Sequence, residues 1–460
     1  MRQIAFPLLA LISLACAAPA ATRQHYGGTL RVAMQSAPMT LVMPASSTPT
    51  DYWDMARVLS LVGDNLVRID AEGRPQSALA LAWQGDSTAR HWQFTLHHGV
   101  KFHDGTPASA AAIAQTLGAL HPDWNIRASA SSPNADSLTI DTETSTPSLL
   151  AELALPRNLI LTRNAAGLPV GTGPFRIAEF QPGKLLKLAA SEDCWSGRPF
   201  LDAIEIEFGK SLRDQAVALE LGRSDVIEAA PQAASTSPRI RTSSSLPVEL
   251  MALVFASNSK AQDVRLRQAL AFSIDRKPIQ SVLLKGAAEP TAGILPNWMT
   301  GYGSAFSTRT NVQRAKTLLA DSRQPPLALS YDPRDPHAQL IAERIALNAR
   351  EAGITVQVSL SGAEDIRLVR IALPSPDPAL SLRETARQLA LVSPVLHGNT
   401  VEDLFQAEHA LLDDDSVIPL FHLPIASAAS ARVRGWVSDQ LGLSNLADLW
   451  LEDSRLEAPR

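Results

Sequence analysis

Apolar and polar residues follow two periods along this chain. Short stretches alternate residue by residue or are wholly apolar, which is typical of β-strands. These stretches lie at 28–34, 92–96, 160–161, 175–177, 185–188, 204–208, 225–227 and 354–360. Other stretches repeat apolar residues every three or four positions and predict α-helices at 54–66, 108–120, 213–221, 265–274, 312–320 and 337–352. Because strands and helices alternate along the chain, the pattern favours an α/β fold with helices covering the faces of the sheets.

Length and composition narrow the class of protein. A chain of 460 residues is too long for one ordinary hydrophobic core, so two or three domains are expected. With 45% hydrophobic and 19% charged residues, the composition is that of a globular protein rather than a disordered one. The net charge of −5 and the absence of any run of basic residues give no reason to expect a nucleic-acid partner.

The first twenty residues have the layout of a secretory signal peptide. Met1-Arg2-Gln3 is a positively charged start, an apolar run covers 4–15, and small residues follow at 15–21. Twelve apolar residues make roughly 18 Å of helix, which is shorter than the ~30 Å hydrocarbon core of a bilayer. We therefore expect 1–20 to be a signal peptide and the mature chain to work in the periplasm or another extracytoplasmic space. The alternative is a buried N-terminal helix.

Cys16 leaves the processing of this signal open. Lipoprotein signals place an apolar residue three positions before the cysteine, and Ser13 stands there in this chain. Lipid attachment at Cys16 and ordinary cleavage after one of the nearby alanines are both possible outcomes: the alanines are Ala17, Ala18 and Ala20. Once the signal is removed, Cys194 has no cysteine partner, so no internal disulfide is expected.

Several phrases of the sequence resemble one known family. The most distinctive is Gly-Val-Lys-Phe-His-Asp-Gly-Thr-Pro at 99–107. The others occur in the same order along the chain, at 27–33, 66–83, 171–175, 195–202, 263–276, 417–421 and 448–450. Together they resemble the extracellular solute-binding proteins of family 5, which include periplasmic dipeptide-, oligopeptide- and nickel-binding proteins.

The resemblance implies a two-lobed periplasmic-binding-protein fold, with a hinge between the lobes and an extra subdomain in lobe I. Lobe I is expected to combine 27–44, 167–246 and 417–460. The subdomain would span 45–166, and lobe II, which is short for the family, would span 247–416. The chain would cross between the lobes near 247–257 and return near 415–420.

The resemblance also implies a function. The protein would capture a peptide-like or other small solute between its lobes and deliver it to the permease of an ATP-driven (ABC) importer. The sequence has no nucleotide-binding motif, so ATP would be handled by the ATPase subunits. We expect a monomer that is not an enzyme and needs no cofactor. The alternative is a degenerate relative that no longer transports and acts as a partner-binding or sensory module.

A solute would be bound in the cleft between the lobes. The residues that we expect to contact it lie after the opening strand, past the first crossing and in lobe II: Ser36, Ala37, Pro38, Ser257, Asn258, Trp298, Pro374 and Ser375. Trp298 follows Pro and Asn in a loop and is either a platform for the ligand or a packed interdomain residue.

One feature departs from the peptide-binding members that the chain resembles. Those members carry an aspartate in lobe II that pairs with the amino group of the peptide, and Pro374 stands at that position here. Asp377 follows three residues later and is expected to be a turn residue. Without a carboxylate in the cleft, burying the ammonium group of a peptide without a partner would cost several kcal/mol of binding free energy. This departure weakens the peptide assignment more than the fold assignment.

Three other clusters could suggest chemistry. The histidines and aspartate at 97, 98, 103 and 104 are metal-ligand types, but neighbouring residues of a strand point to opposite faces, and we expect no metal site there. The Gly-x-Gly at 171–173 lacks the lysine of a phosphate loop and predicts a turn. The acidic run at 413–415 is expected to be a solvated surface rather than a calcium site.

Overall fold

The computed structural model describes most of the chain. The described residues are 24–43, 49–70, 72–132, 135–230, 237–320, 324–360, 364–396, 398, 400–438, 440–442 and 445–452. The predicted signal peptide, with Cys16, lies outside them. Among the residues that the structure describes, no helix is both long enough and apolar enough to cross a membrane.

The strands are numbered β1 to β21 in chain order. They are Thr29–Ala33, Val67–Ile69, Pro75–Ser77, Ala80–Gly85, His91–Leu96, Asn125–Ser132, Ala135–Asp141, Thr162–Arg163, Pro169–Val170, Phe175–Gln181, Leu185–Ala190, Ala203–Glu207, Val226–Ala229, Ile240–Phe255, Glu289–Pro290, Leu327–Tyr331, Val356–Val358, Ile366–Ala372, Val417–Ser430, Val433–Arg434 and Trp450–Leu451.

The helices are numbered α1 to α11. They are Pro49–Val62, Ala110–Leu120, Leu149–Leu153, Leu212–Glu220, Val264–Ser273, Arg276–Pro278, Asn297–Thr300, Val312–Leu319, Ala338–Glu351, Pro378–Gln388 and Val401–Leu412. Side-chain caps explain where several begin, because a Ser or Asp before the first turn accepts a hydrogen bond from an otherwise unpaired amide. Ser109 accepts from the Ala112 amide at the start of α2, and Ser211 accepts from the Asp214 amide at the start of α4.

The predicted helices and most predicted strands are present, with ends shifted by a few residues. The predicted strand at 160–161 is wrong. The Ile160 amide donates to the carbonyl of Asp64, 2.8 Å away, and the Ile160 side chain is buried. The apolar pair therefore fills a core while the chain is irregular, and the nearest strand starts only at Thr162.

One large sheet runs through the molecule. The order of its strands is β10-β11-β12-β1-β13-β19-β14-β18-β16-β17, with β15 beside β19. In lobe I, β1 lies parallel to β12 and β13; in lobe II, β16 lies parallel to β17 and β18. The long antiparallel strands β14 and β19 join the two halves.

The hinge lies within the β14–β19 pair. Residues 240–244 of β14 pair with 426–430 of β19, and residues 249–254 pair with 417–423. Between these segments Pro247 faces Pro424, and the register shifts on both sides of Pro247. Because proline has no amide hydrogen, the ladder is interrupted at the point where the chain passes from one lobe to the other.

The buried apolar residues form separate clusters. One surrounds β1, β11 and β12 under α1; a second lies between β16, β18 and α9. A third fills the space between α2 and a four-stranded sheet, ordered β4-β5-β7-β6. The fold is therefore two-lobed α/β with an additional packed unit. For the boundaries of these units we propose the ranges expected from the sequence.

The distinctive phrase at 99–107 and the glycines at 171–173 form a scaffold. The His103 ring nitrogen lies 2.8 Å from the Gly173 carbonyl, and the Gly173 amide donates to the carbonyl of Val62 at the end of α1. A Cβ on Gly171 would lie 2.1 Å from that same carbonyl. Glycine is therefore required here by the close approach of two backbones.

We expect His422 to make the stability of the hinge depend on pH. This β19 side chain is buried, its Nε2 lies 2.9 Å from the Ile294 carbonyl, and burial lowers its pKa to about 4. The unfolded chain, with an ordinary histidine pKa near 6.5, binds the proton first, so stability falls as pH drops from about 6.5 towards 4. The full effect is about 3 kcal/mol.

The measurement is the midpoint of thermal unfolding between pH 7.5 and 4.5 for the wild type and for His422→Gln, which keeps a donor for Ile294. The variant should lose less stability than the wild type over this range. Equal losses in the two proteins would show that His422 does not contribute.

Candidate functional site

A cavity of about 650 Å³ lies between the two lobes. Lobe I contributes the end of β1, one face of α1 and the end of β13, and lobe II contributes β14, β18 and the loop from β16 to α9. Residues 424–426 of β19 form the part of the wall at the hinge. Seven carboxylates and four arginines are among the described residues of the wall, so the cavity suits a polar solute rather than an apolar one.

Two carboxylates from lobe I lie side by side in this wall. The amide of Gln35 donates to Glu228, and the next amide, of Ser36, donates to Asp54 Oδ2 at 3.3 Å. Since consecutive Cα atoms are about 3.8 Å apart, these bonds hold the two carboxylates close together. Gln215 fixes Glu228 further, by a 2.8 Å hydrogen bond from its side-chain amide.

Burial raises the pKa of both groups. Asp54 is 1% exposed, and burial raises its pKa against the opposing effects of Ser36 and Arg57. For Glu228, burial is again the largest cause of a raised pKa, and repulsion from Asp54 adds to it. Both effects disfavour the charged form of a carboxyl group, so this pair would be stabilised by a positive charge placed next to it.

Lobe II carries a charged cluster whose members pair with one another, although Arg370 Nε is buried without a hydrogen-bond partner among the described residues. Glu249 on β14 is 2% exposed and accepts a hydrogen bond from Arg370 on β18, which also donates to Asp335 at 3.3 Å. Burial raises the pKa of Glu249, and Arg370 offsets part of that rise. Burial alone would lower the pKa of Arg370, but attraction to the two carboxylates holds it above its ordinary value.

Direct contacts join the lobes beside the cavity. Arg334 of lobe II makes two 3.1 Å hydrogen bonds with the Asp51 carboxylate on α1, and the Gln35 side chain donates to the Arg334 carbonyl at 2.9 Å. Elsewhere Arg157 pairs with Glu384 on α10. These contacts hold the lobes together around the cavity.

The structure places the eight residues predicted to contact a solute outside the cavity wall as the described residues define it. Ser36 is buried just behind the wall and takes part through its amide. Ala37 and Pro38 pack on lobe I, where the Gly183 amide donates to the Pro38 carbonyl. Ser257 and Asn258 lie exposed in the turn after β14.

The other three predicted residues have structural contacts. Trp298 donates from Nε1 to the Pro247 carbonyl at 2.8 Å and packs against the cluster around Trp53, which favours the packed interdomain residue of the two alternatives. Pro374 and Ser375 are buried before α10, where the Ser375 hydroxyl accepts from the Asp377 amide. Asp377 caps α10 by accepting from the Leu380 amide.

The charged residues that form the wall are not among the eight residues predicted from the sequence. A signal for them exists, because each interrupts an apolar stretch: Asp54 within α1, Glu249 within β14, and Arg370 within β18. Charged residues are rarely buried unless they are paired or functional. Position 374 has no carboxylate, as the sequence shows, but β13, β14 and α1 supply three carboxylates to the cavity wall.

Two lobes that enclose a polar cavity around a two-strand hinge define a two-lobed binding protein. The family follows from the sequence: residues 74–375 match the bacterial extracellular solute-binding proteins, family 5 middle region. This match covers more than half of the chain, and the chain belongs to that family.

Individual relatives agree with this assignment. The nickel-binding protein NikA of Staphylococcus aureus is 25% identical over 324 residues, which are 66% of this chain and 65% of NikA. The match thus spans less than two thirds of that relative. A dipeptide-binding protein from Pseudoalteromonas in complex with Met-Leu has a TM-score of 0.79 at 18% identity, covering 92% of this chain and 100% of the other. DppA of Helicobacter pylori in complex with the peptide STSA has a TM-score of 0.79 at 17% identity, covering 94% and 99%.

We expect Arg370→Met to destabilise lobe II strongly. The substitution leaves Glu249 buried without a partner, and breaking one side of a buried ion pair costs about 3–5 kcal/mol. The double variant Arg370→Met with Glu249→Leu removes both charges and should recover most of the loss. The midpoint of thermal unfolding of the three proteins checks this. A double variant as unstable as the single one would show that shape, not the unpaired charge, sets the cost.

We expect Arg334→Ala to shift the lobes apart. Half-exposed ion pairs are worth at most about 1 kcal/mol, which corresponds to about a fivefold change in the ratio of closed to open molecules. Small-angle X-ray scattering without solute should give a larger radius of gyration for the variant than for the wild type. Arg265→Ala, which removes an ion pair within lobe II, is the control and should leave the radius unchanged. Identical curves for all three proteins would contradict a role of Arg334 in closure.

Proposed function

We propose that this protein is the extracytoplasmic solute-binding component of an ABC importer. It closes its lobes on a small polar solute in the interlobe cavity and presents the closed form to the permease. The ATPase subunits of the importer, not this chain, supply the energy. The observation that carries the proposal is the cavity itself, because both lobes contribute charged residues to one space and the hinge residues 424–426 complete its wall.

The size of the cavity supports solute binding over the alternative of a degenerate partner-binding or sensory module. Small-molecule sites commonly measure about 300–1,000 Å³, and the volume here, about 650 Å³, falls inside that range. A protein that had lost its solute would have no need for an open space lined by partly unsatisfied charged groups. The cost of burying such groups favours keeping them only where something binds.

The names of the relatives guide the choice of solute to test. They bind nickel, a dipeptide and a tetrapeptide in their printed descriptions. For this chain we propose a solute of similar size with several polar groups, and no catalytic role for the cavity. We propose that the mature protein acts as a monomer outside the cytoplasmic membrane, with lipid attachment at Cys16 and ordinary cleavage as the two routes to that location.

The experiment is a thermal-shift screen of the mature protein against dipeptides, tetrapeptides, nickel with L-histidine, and sugars. A bound solute stabilises the native state and raises the unfolding temperature. Ala229→Trp fills the cavity from β13 and should abolish any shift found with the wild type. Ala165→Trp, at an exposed turn, is the matched control and should keep the shift.

Two results would overturn the proposal. One is a shift that survives in Ala229→Trp, because the solute would then bind elsewhere. The other is the lack of any shift in the wild type with every class of solute. The unfolding temperature of each variant without solute shows whether the substitution itself disturbs the fold.

A further inference from the structure

We propose that the solute carries a positively charged nitrogen group, an ammonium or a guanidinium, which binds to Asp54 and Glu228 on lobe I. This inference rests on the proposed function and names the chemical class of its solute. It also places the first contact on one lobe, because both carboxylates belong to lobe I.

An unsatisfied atom marks the position of the cation. Asp54 is almost fully buried and lines the cavity, and its Oδ1 has no hydrogen-bond partner among the described residues. Its other oxygen, Oδ2, accepts the long 3.3 Å bond from the Ser36 amide, and hydrogen bonding by the Ser36 side chain lowers the pKa of Asp54 without offsetting the rise that burial causes. A buried carboxylate oxygen without a donor costs about 1–3 kcal/mol or more. A solute N–H group in the cavity would supply the missing donor.

The neighbouring carboxylate makes a cation the best-fitting donor. The paired amides of Gln35 and Ser36 hold Glu228 and Asp54 together. Attraction from Arg57 lowers the pKa of both acids but does not offset the rise that burial causes, and a neutral donor would add no further positive charge. An ammonium or guanidinium group donates two or more hydrogen bonds and carries the charge that both acids need. The raised pKa values of the two acids are consistent with this shortage of positive charge.

The protein's own cations do not fill this role. Arg57 lies one helical turn after Asp54 and lines the cavity, but it forms no ion pair with either carboxylate among the described residues. Arg334 is engaged with Asp51 and Asp332, and Arg370 with Glu249 and Asp335. Arg57 is available instead for an anionic group of the same solute, such as a carboxylate.

The wall of lobe II differs from that of lobe I, because the protein itself supplies a cation to its buried carboxylate. Its buried carboxylate, Glu249, has Arg370 as a partner, and Arg370 has Asp335 as a second partner. Lobe II therefore needs no charge from the solute, and lobe I does. The amides and the glutamine that hold Asp54 and Glu228 all belong to lobe I, so the cation site does not require closure in order to form.

The experiment compares charged and neutral forms of the same probe. The dipeptide Ala-Leu is tested against N-acetyl-Ala-Leu, and putrescine against N,N′-diacetylputrescine; agmatine is added to compare a guanidinium with an ammonium. Calorimetry and thermal shift at pH 7 measure binding to the wild type and to Asp54→Asn and Glu228→Gln. Glu220→Gln, an exposed residue of α4 outside the cavity, is the control.

We expect at least one charged probe to bind, its acetylated form to bind at least tenfold more weakly, and each cavity variant to lose at least tenfold in affinity while the control keeps it. The unfolding temperature of the solute-free cavity variants should equal or exceed that of the wild type, because each substitution removes a disfavoured charge. A variant that keeps this unfolding temperature and fails to bind has lost the site and not the fold.

Three outcomes would overturn the inference. They are equal binding of charged and acetylated probes, full affinity in both cavity variants, and binding of a different solute class with no binding of any charged probe. The last of these leaves the proposed function intact, whereas a wild type that binds no solute of any class overturns both.

Discussion

The pairing of β14 with β19 is the interaction on which the rest of the structure depends. These two strands are the route by which the large sheet passes from lobe I to lobe II. Each of the two strands forms part of both lobes, so a change of pairing in one lobe is transmitted directly to the other. The facing prolines, Pro247 and Pro424, confine the interruption of the ladder to one short segment. Bending can therefore be localised there without opening either half of the sheet.

The site follows from the geometry of that sheet. β13 and β14 flank β19 on its two sides, and their residues Glu228 and Glu249 therefore line the cavity from opposite lobes. The two lobes then differ in how their charges are balanced. Lobe II buries an acid together with its own arginine, whereas lobe I buries two acids with an unfilled acceptor. The ion pair of lobe II stabilises the wall. The acids of lobe I make the empty cavity selective for the solute that it binds.

The sequence predicts the scaffold better than the site, for a physical reason. Strands such as β12 and helices such as α8 follow from local periodicity, and the phrase at 99–107 is a compact local unit. Asp54 and Glu228 are separated by more than 170 residues in sequence, and the consecutive amides of Gln35 and Ser36, in the segment after β1, hold them next to each other. The local sequence shows that Asp54 interrupts an apolar stretch, but it does not show that the two acids meet. Trp298 illustrates a choice that the sequence leaves open between a ligand platform and a packed interdomain residue, because its partner, the carbonyl of Pro247, is distant in sequence.

The position of β1 has a consequence for how the chain acquires its structure. This strand is among the first described residues, yet its sheet partners β12 and β13 begin near 203 and 226, and β13 in turn pairs with β19 near the other end of the chain. Such distant partners imply slow folding, because the entropy of closing long loops is lost before the stabilising contacts between the strands can form. During synthesis the first lobe therefore stays incomplete until β19 has emerged, whereas the subdomain between β1 and β10, with its local hairpins, can fold earlier.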